Sequence, residues 1–328
     1  MFSTLKTIAL CLLLCGICSC ACTNDTIVYR QTEDPQPQQP ETPQPQQPET
    51  PQPTDGKKTI RVATWNVHRF FDLTCDSGTC GSGQYEPANT QSYFNKKVEK
   101  IANGMNALDA DVILLQEIES EMCMYSIQSF IGESNYPNFA FGETGTVASL
   151  DVGIFTRGTI DKVTVHRDDH VFTMSDGTQK KLARELLQAE ITLPNGLELT
   201  AFTTHLVSKA TDSIGERRLH EAELVQQIVA AYVADHPNRL IVFGGDLNDN
   251  PDSEPIKAIG KDGILVSVTA GRPESEITTW SATDALDHIF IPSQLKSTQK
   301  EAIIVCGNPP SSGYSDSDHC ALRVDFEF

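Results

Sequence analysis

The chain has 328 residues, 39% of them hydrophobic, and its 44 acidic against 25 basic side chains give a formal charge of −19. The hydrophobic share suits a globular protein rather than a disordered one. The acidic balance excludes a protein that grips duplex nucleic acid through a broad basic face, but not an enzyme that handles phosphate locally through a metal ion. In chain order, residues 1–19 come first, with a short basic start at Lys6 followed by an apolar run too short to span a bilayer. That is the pattern of an export signal.

The stretch Ile17-Cys18-Ser19-Cys20 resembles a bacterial lipobox, which implies cleavage before Cys20 and a lipid on its thiol. Cysteine at the −2 place departs from that pattern, and Cys22 is a competing site. Plain secretion and an uncleaved anchor are the alternatives to an exported lipoprotein held at the outer membrane or cell surface through Cys20. Residues 20–58 read as a Pro/Gln-rich linker, in which 35–54 contain PQPQQPET twice and then PQPT. Prolines so spaced favour polyproline II, and at ~3.1 Å per residue the repeat forms a spacer of roughly 60 Å. Export also implies an oxidising compartment for the cysteines of the globular part. Cys75 and Cys80 bracket a small loop that a disulfide would close. Cys306 and Cys320 lie at facing ends of two apolar runs and are either bridged or simply buried, which leaves Cys123 unpaired.

From residue 59 to 328 the pattern is that of one domain, with no linker or break in composition. Strand-like runs fall at 59–67, 111–118, 151–157, 185–193, 197–206, 239–246, 285–291, 301–306 and 321–328. Some alternate apolar and polar residues, and others are continuously apolar like buried strands. Residues 91–108 repeat Phe94, Val98, Ile101, Met105 and Leu108 at helical spacing, and 215–235 repeat Leu219, Ala222, Val225, Val229 and Tyr232. Many strands and few helices predict two packed sheets with helices outside.

Polar residues collect where these apolar runs stop: Asn66, Glu117, His205, Asp246 with Asn248, and Asp318-His319, with Asp287 just inside a run. Strand ends are where chemistry gathers in layered α/β proteins. Gly244 and Gly245 let the backbone crowd such a site without a β-carbon. Three aspartates, a glutamate, two imidazoles and two amides suffice to bind a hard cation, neutralise phosphoryl oxygens and position a water.

These stretches resemble the endonuclease/exonuclease/phosphatase superfamily, which includes deoxyribonuclease-I-like nucleases. The resemblance rests on WN at 65–66, QE at 116–117, HL at 205–206, GDLN at 245–248, LDHIF at 286–290 and SDH at 317–319, in the family's order. It implies an α/β (α+β) four-layer sandwich, two mixed β-sheets flanked by helices, and metal-dependent phosphoester hydrolysis. Carried over, Glu117 is the main Mg²⁺ ligand, with Mn²⁺ or Ca²⁺ as substitutes, and Asn66 and Asp318 support the metal directly or through water. His205 donates to a phosphate oxygen, while Asp246 and Asn248 orient or deprotonate the attacking water. Asp287 orients His319, a base or a phosphate donor, and Arg184 lies where relatives carry an arginine near the scissile phosphate. The tyrosine that the family places near 151–157 is missing, with Val152 at its approximate position.

The expected activity is that of an exported nuclease that binds nucleic acid transiently and has no stable protein partner. The alternative substrate is a phospholipid, sphingomyelin-type or inositol phosphate headgroup, although the loops at 73–90 and 306–318 show no apolar patch for a bilayer. A non-catalytic module would have lost Glu117, Asp246 or His319, and none is lost. His166 and His170 read as a charged surface loop rather than a zinc site, and Trp280 as either a wall of the site or packing.

Overall fold

The structure is a computed structural model and describes residues 57–328, so the export signal, Cys20 and the proline repeat lie outside the described residues. Along sheet-forming segments the first strands are β1 (Thr59–Phe70), β2 (Val112–Ile118), β3 (Asn138–Gly142), β4 (Asp151–Thr156) and β5 (Thr159–Val165). A two-stranded ribbon follows, β6 (Phe172–Thr173) with β7 (Gln179–Lys180), then β8 (Leu187–Thr192), β9 (Glu198–His205) and β10 (Leu240–Asp246). The last are β11 (Leu265–Ser267), β12 (Asp287–Pro292), β13 (Gln299–Val305) and β14 (Ala321–Glu327). The helices are α1 (Gln91–Leu108), α2 (Glu121–Ile131), α3 (Glu216–Asp235) and α4 (Glu254–Ile259).

Two six-stranded mixed sheets result, ordered β13-β14-β1-β2-β4-β3 and β11-β12-β10-β9-β8-β5. Alternation along β1 shows how they stack. Ile60 and Val62 face the opposite sheet, where they meet Val242, Ile289 and Leu199. Ala63, Trp65 and Val67 face the other way, onto α1 and α2. The second sheet likewise turns Phe202, Ile241 and Phe243 onto α3 and α4. The four layers expected from the sequence are therefore present.

All nine expected strands form, and α1 covers 91–108 with its five apolar positions buried. In α3 the buried face is rotated from the expected stripe: Leu219 and Tyr232 are only half-buried, while Arg218 and Glu221 are buried. Three edge strands, β3, β5 and β11, and the helices α2 and α4 were not expected. Edge strands bury little, and β5 is exposed or half-buried throughout. A capping serine does mark α2, since the Ser120 hydroxyl accepts from Cys123 N at 3.4 Å.

Both disulfides form, Cys75–Cys80 and Cys306–Cys320, and the leftover Cys123 is buried. The second closes a short loop just before β14, so its main effect is to limit the unfolded chain. Replacing Cys306 and Cys320 together by alanine is expected to lower unfolding free energy by about 2–4 kcal/mol, measured by urea denaturation against the wild type. No loss would show that the loop is held by its other contacts alone.

Candidate functional site

In the second sheet the backbone register places three chemical side chains in one row. Asp246 at the end of β10 is paired with His205 on β9 and with Asp287 on β12. The glycines before it are required sterically. A β-carbon on Gly245 would overlap the Thr204 carbonyl, and one on Gly244 would lie 2.9 Å from the His288 carbonyl oxygen. The strands can pack this closely only because those atoms are missing.

The first sheet supplies its residues differently. Asn66 does not end its strand, as its sequence position suggested. β1 runs on to Phe70 past a register shift, with His68 and Arg69 at left-handed φ of 57° and 50°. Glu117 lies at a second shift, between Gln116 and Ile118, at φ 66°. Bulges of this kind re-aim side chains beside functional sites. Here they turn Glu117 toward Asn66 and toward the gap between the sheets.

The two halves meet through Asn66. Its amide Nδ2 donates to Glu117 Oε1 at 3.1 Å and to Asp246 Oδ2 at 2.9 Å. Its own oxygen accepts from His68 N at 2.9 Å, and Arg69 N donates to Glu117 Oε2 at 2.7 Å. Asp246 is fixed further by Asn248 N on Oδ1 at 2.9 Å, while the Asn248 side chain donates to Leu206 O at 3.0 Å. Two imidazoles flank Asp246 Oδ2: His205 Nε2 at 3.4 Å and His319 Nε2 at 3.7 Å. The other His319 nitrogen lies 2.8 Å from Asp287 Oδ2.

The two histidines differ in charge. Burial strongly opposes a proton on His205, and nearby Arg184 and His319 add to that, so its pKa falls well below the ordinary value. Burial opposes the charge on His319 too, but Asp287 and Asp246 together outweigh it and raise its pKa to about 10. Asp246 is itself pushed up by burial, against the pull of His319. A cationic ring thus sits between two carboxylates, beside a neutral one.

Glu117, His205, Asp246, Asn248, Asp318 and His319 all line one cleft of about 430 Å³, together with Arg184 and Lys209. The structure therefore brings together every site residue expected from the sequence, with Asn66 and Asp287 buried just behind the wall. Trp280 is a wall of this cleft, its indole nitrogen donating to Asp318 Oδ2 at 3.1 Å. Val152 is buried between the sheets, and the tyrosine that lines the cleft is Tyr85, from the loop after β1. His166 is half-buried, with Nε2 2.9 Å from Gln188 Oε1, and forms no metal-ligand cluster with His170.

A family model described as "Endonuclease/Exonuclease/phosphatase family" matches residues 63–319. The chain belongs to that family. Solved structures share the fold. Truncated Caenorhabditis elegans TDP2 is 17% identical at a TM-score of 0.57, covering 82% of this chain and 97% of its own. The human Nocturnin catalytic domain with bound sulfate is 19% identical at 0.58, covering 82% and 93%. D. rerio TDP2 complexed with single strand DNA product is 19% identical at 0.55, covering 82% and 98%. No curated protein matches the chain by sequence. Family members are phosphoric ester hydrolases that depend on a divalent metal.

The donor set fits a hard cation. Glu117 and Asp318 face the same cleft with carboxylate oxygens, the ligands Mg²⁺-like ions take. Asn66 turns its amide nitrogen to Glu117 and Asp246 while its oxygen accepts from His68 N, so it orients Glu117 beside the cleft. Asp246, Asp287 and His319 also bring ligand atoms within 4.8 Å of one another, but the His319 ring already bridges those carboxylates.

Three residues that hold the site together were not legible as such. Arg218 on α3 donates to Asp249 Oδ2 at 2.9 Å, Glu221 accepts from Val207 N and Ala183 N at 2.9 Å each, and Lys97 on α1 donates to Asp316 O at 2.9 Å. Each ties a site loop to an outer helix. The available signal was a charged residue lying on the apolar stripe of its helix: Lys97 is four places before buried Ile101, Arg218 four before buried Ala222 and Glu221 four before buried Val225.

Asn66→Ala is expected to lower stability by about 1–3 kcal/mol, since buried Asp246 and half-buried Glu117 lose a shared donor. Asn66→Asp should cost more at pH 7, by adding a third carboxylate. That excess should shrink as pH falls toward 5, because repulsion raises the folded-state pKa values and proton uptake then favours the native state. Urea unfolding at both pH values checks the order. Equal losses for the two variants would show that the amide is not shared.

Proposed function

We propose that this protein is a Mg²⁺-dependent phosphodiesterase that hydrolyses nucleic acid, exported and tethered through a lipid on Cys20. The observation that carries the reading is the convergence on one cleft of two carboxylates, Glu117 and Asp318, with the Asp246–His205–His319 cluster and the cationic Arg184 and Lys209. An acidic protein can take a polyanion at such a place because the positive charge is local. The single strand DNA product in D. rerio TDP2 and the sulfate in Nocturnin are a phosphodiester and a tetrahedral oxyanion held by the same fold.

Mg²⁺ held by Glu117 and Asp318 would neutralise phosphoryl oxygens and stabilise the charge that builds as the ester breaks. The rest falls to the chain's own groups. His319 is held through Nδ1 by Asp287 Oδ2, and its Nε2, 3.7 Å from Asp246 Oδ2 and so not hydrogen-bonded to it, is the nitrogen that can donate toward phosphate. This leaves Asp246 as the acceptor for the water's proton, its lone pairs aimed by Asn66 and Asn248. Neutral His205 and Arg184 supply further donors from the walls, Arg184 as a rigid fork.

A second reading, a phospholipid or inositol phosphate headgroup, has one observation in its favour. Exposed apolar residues stand on several loops, Leu73, Tyr85, Val147 and Ile214, and Tyr85 among them lines the cleft.

The test is the whole chain incubated with single-stranded DNA, RNA, sphingomyelin vesicles and inositol phosphates, with Mg²⁺ and with EDTA. Cleavage of nucleic acid with Mg²⁺, its loss in EDTA and its return on adding Mg²⁺ are expected, with Glu117→Gln at least about 100-fold slower. Vesicle hydrolysis without DNA or RNA cleavage would favour the second reading, and no hydrolysis at all would remove both. Labelled palmitate should enter the wild type in cells and not Cys20→Ala; incorporation in that variant would move or remove the anchor.

A further inference from the structure

The loop between β1 and α1 is fixed far more firmly than a surface connection needs. Cys75–Cys80 closes one end of it. The buried Glu86 carboxylate accepts from Asp76 N and Ser77 N, each at 2.7 Å. Asn89 donates to Phe71 O at 2.8 Å and Asp72 O at 3.1 Å. What this scaffold presents is Tyr85, which is 54% exposed. Arg69 donates to the Tyr85 carbonyl, its guanidinium lies 5.1 Å from the ring, and the Phe71 ring meets it edge-on at 5.6 Å.

Tyr85 lines the phosphate cleft and also borders a side pocket of about 250 Å³, which it shares with Arg184, Thr144, Thr146, Ser149 and Asp151. Asp151 is wholly buried; Oδ2 accepts from Ser149 Oγ at 2.6 Å and Thr144 N at 3.3 Å, while Oδ1 has no partner. We propose that Tyr85 is a specificity-determining residue, a stacking platform for an unpaired nucleobase beside the scissile phosphate, with the side pocket facing the base's polar edge. This rests on the nuclease reading above and narrows it to single-stranded substrates.

Two physical points select a base over other partners. A neutral flat ring stacks on tyrosine whatever its sequence, and its edge offers hydrogen-bonding groups to the accessible hydroxyls of the side pocket, Thr146 and Ser149. A cationic lipid headgroup would meet a ring that already carries Arg69 against it, with Arg184 beside it, so cation–π attraction is opposed by like charge. A paired base has its faces covered by neighbours in the duplex and cannot lie on Tyr85.

The test is binding of the whole chain to fluorescent, phosphorothioate-linked decathymidine, which resists cleavage. The control has the same backbone with abasic tetrahydrofuran units. Anisotropy titration requires no turnover, so a failure of the hydrolase reading is recorded separately by the cleavage assay. Tyr85→Ala should weaken decathymidine binding about tenfold or more and leave the abasic strand unchanged, with Tyr85→Phe close to wild type. Equal affinity of wild type and Tyr85→Ala for decathymidine, or equal losses on both strands, would overturn the proposal. So would vesicle binding that needs Tyr85 while decathymidine binding does not.

Discussion

One amide donor joins the two halves of this molecule's chemistry. Asn66, on the first sheet, shares its Nδ2 between Glu117 of the same sheet and Asp246 of the other. Two carboxylates that face each other repel, and a neutral amide nitrogen with two hydrogens can donate to both. The separation of the sheets is set by the aliphatic layer between them, from Ile60 and Val62 to Val242 and Ile289. A change in that layer therefore shifts the acids relative to each other, which couples core packing to the site.

Around that bond the charges are divided. Glu117 and Asp318 line the cleft, each held by neutral donors, whereas Asp246 and Asp287 flank the His319 ring. The outer helices finish the work: Arg218, Glu221 and Lys97 reach inward to loops rather than outward to water. Burying those charges is tolerable because each is paired or hydrogen-bonded to the backbone it fixes. The result is a site built on strand ends but braced from behind on both sides.

Much of this was legible in the sequence because period and position carry it. Strand alternation and the Phe94–Leu108 stripe fixed the layers, and the polar residues at the ends of apolar runs are the ones that converge. The bulges were not legible, since nothing in TWNVHRFF or LLQEIES distinguishes a strand that stops from one that continues through left-handed residues. That is why the sequence did not show that Asn66 would turn its amide nitrogen to Glu117 and Asp246. The missing tyrosine is instructive for the same reason: β4 carries Val152, while the cleft draws its tyrosine, Tyr85, from the loop between β1 and α1, beyond the Cys75–Cys80 disulfide. Relatives at 17–19% identity share the sandwich but do not determine which substrate enters it.

The central claim is that the oxygens of Glu117 and Asp318 hold a divalent cation in the same space that Asp246, His205 and His319 enclose. Anomalous diffraction from a crystal soaked in Mn²⁺ tests it most directly. The account predicts a peak within ligand distance of both Glu117 and Asp318. A peak lodged between Asp246 and Asp287 with His319 displaced, or none in the cleft, would contradict it.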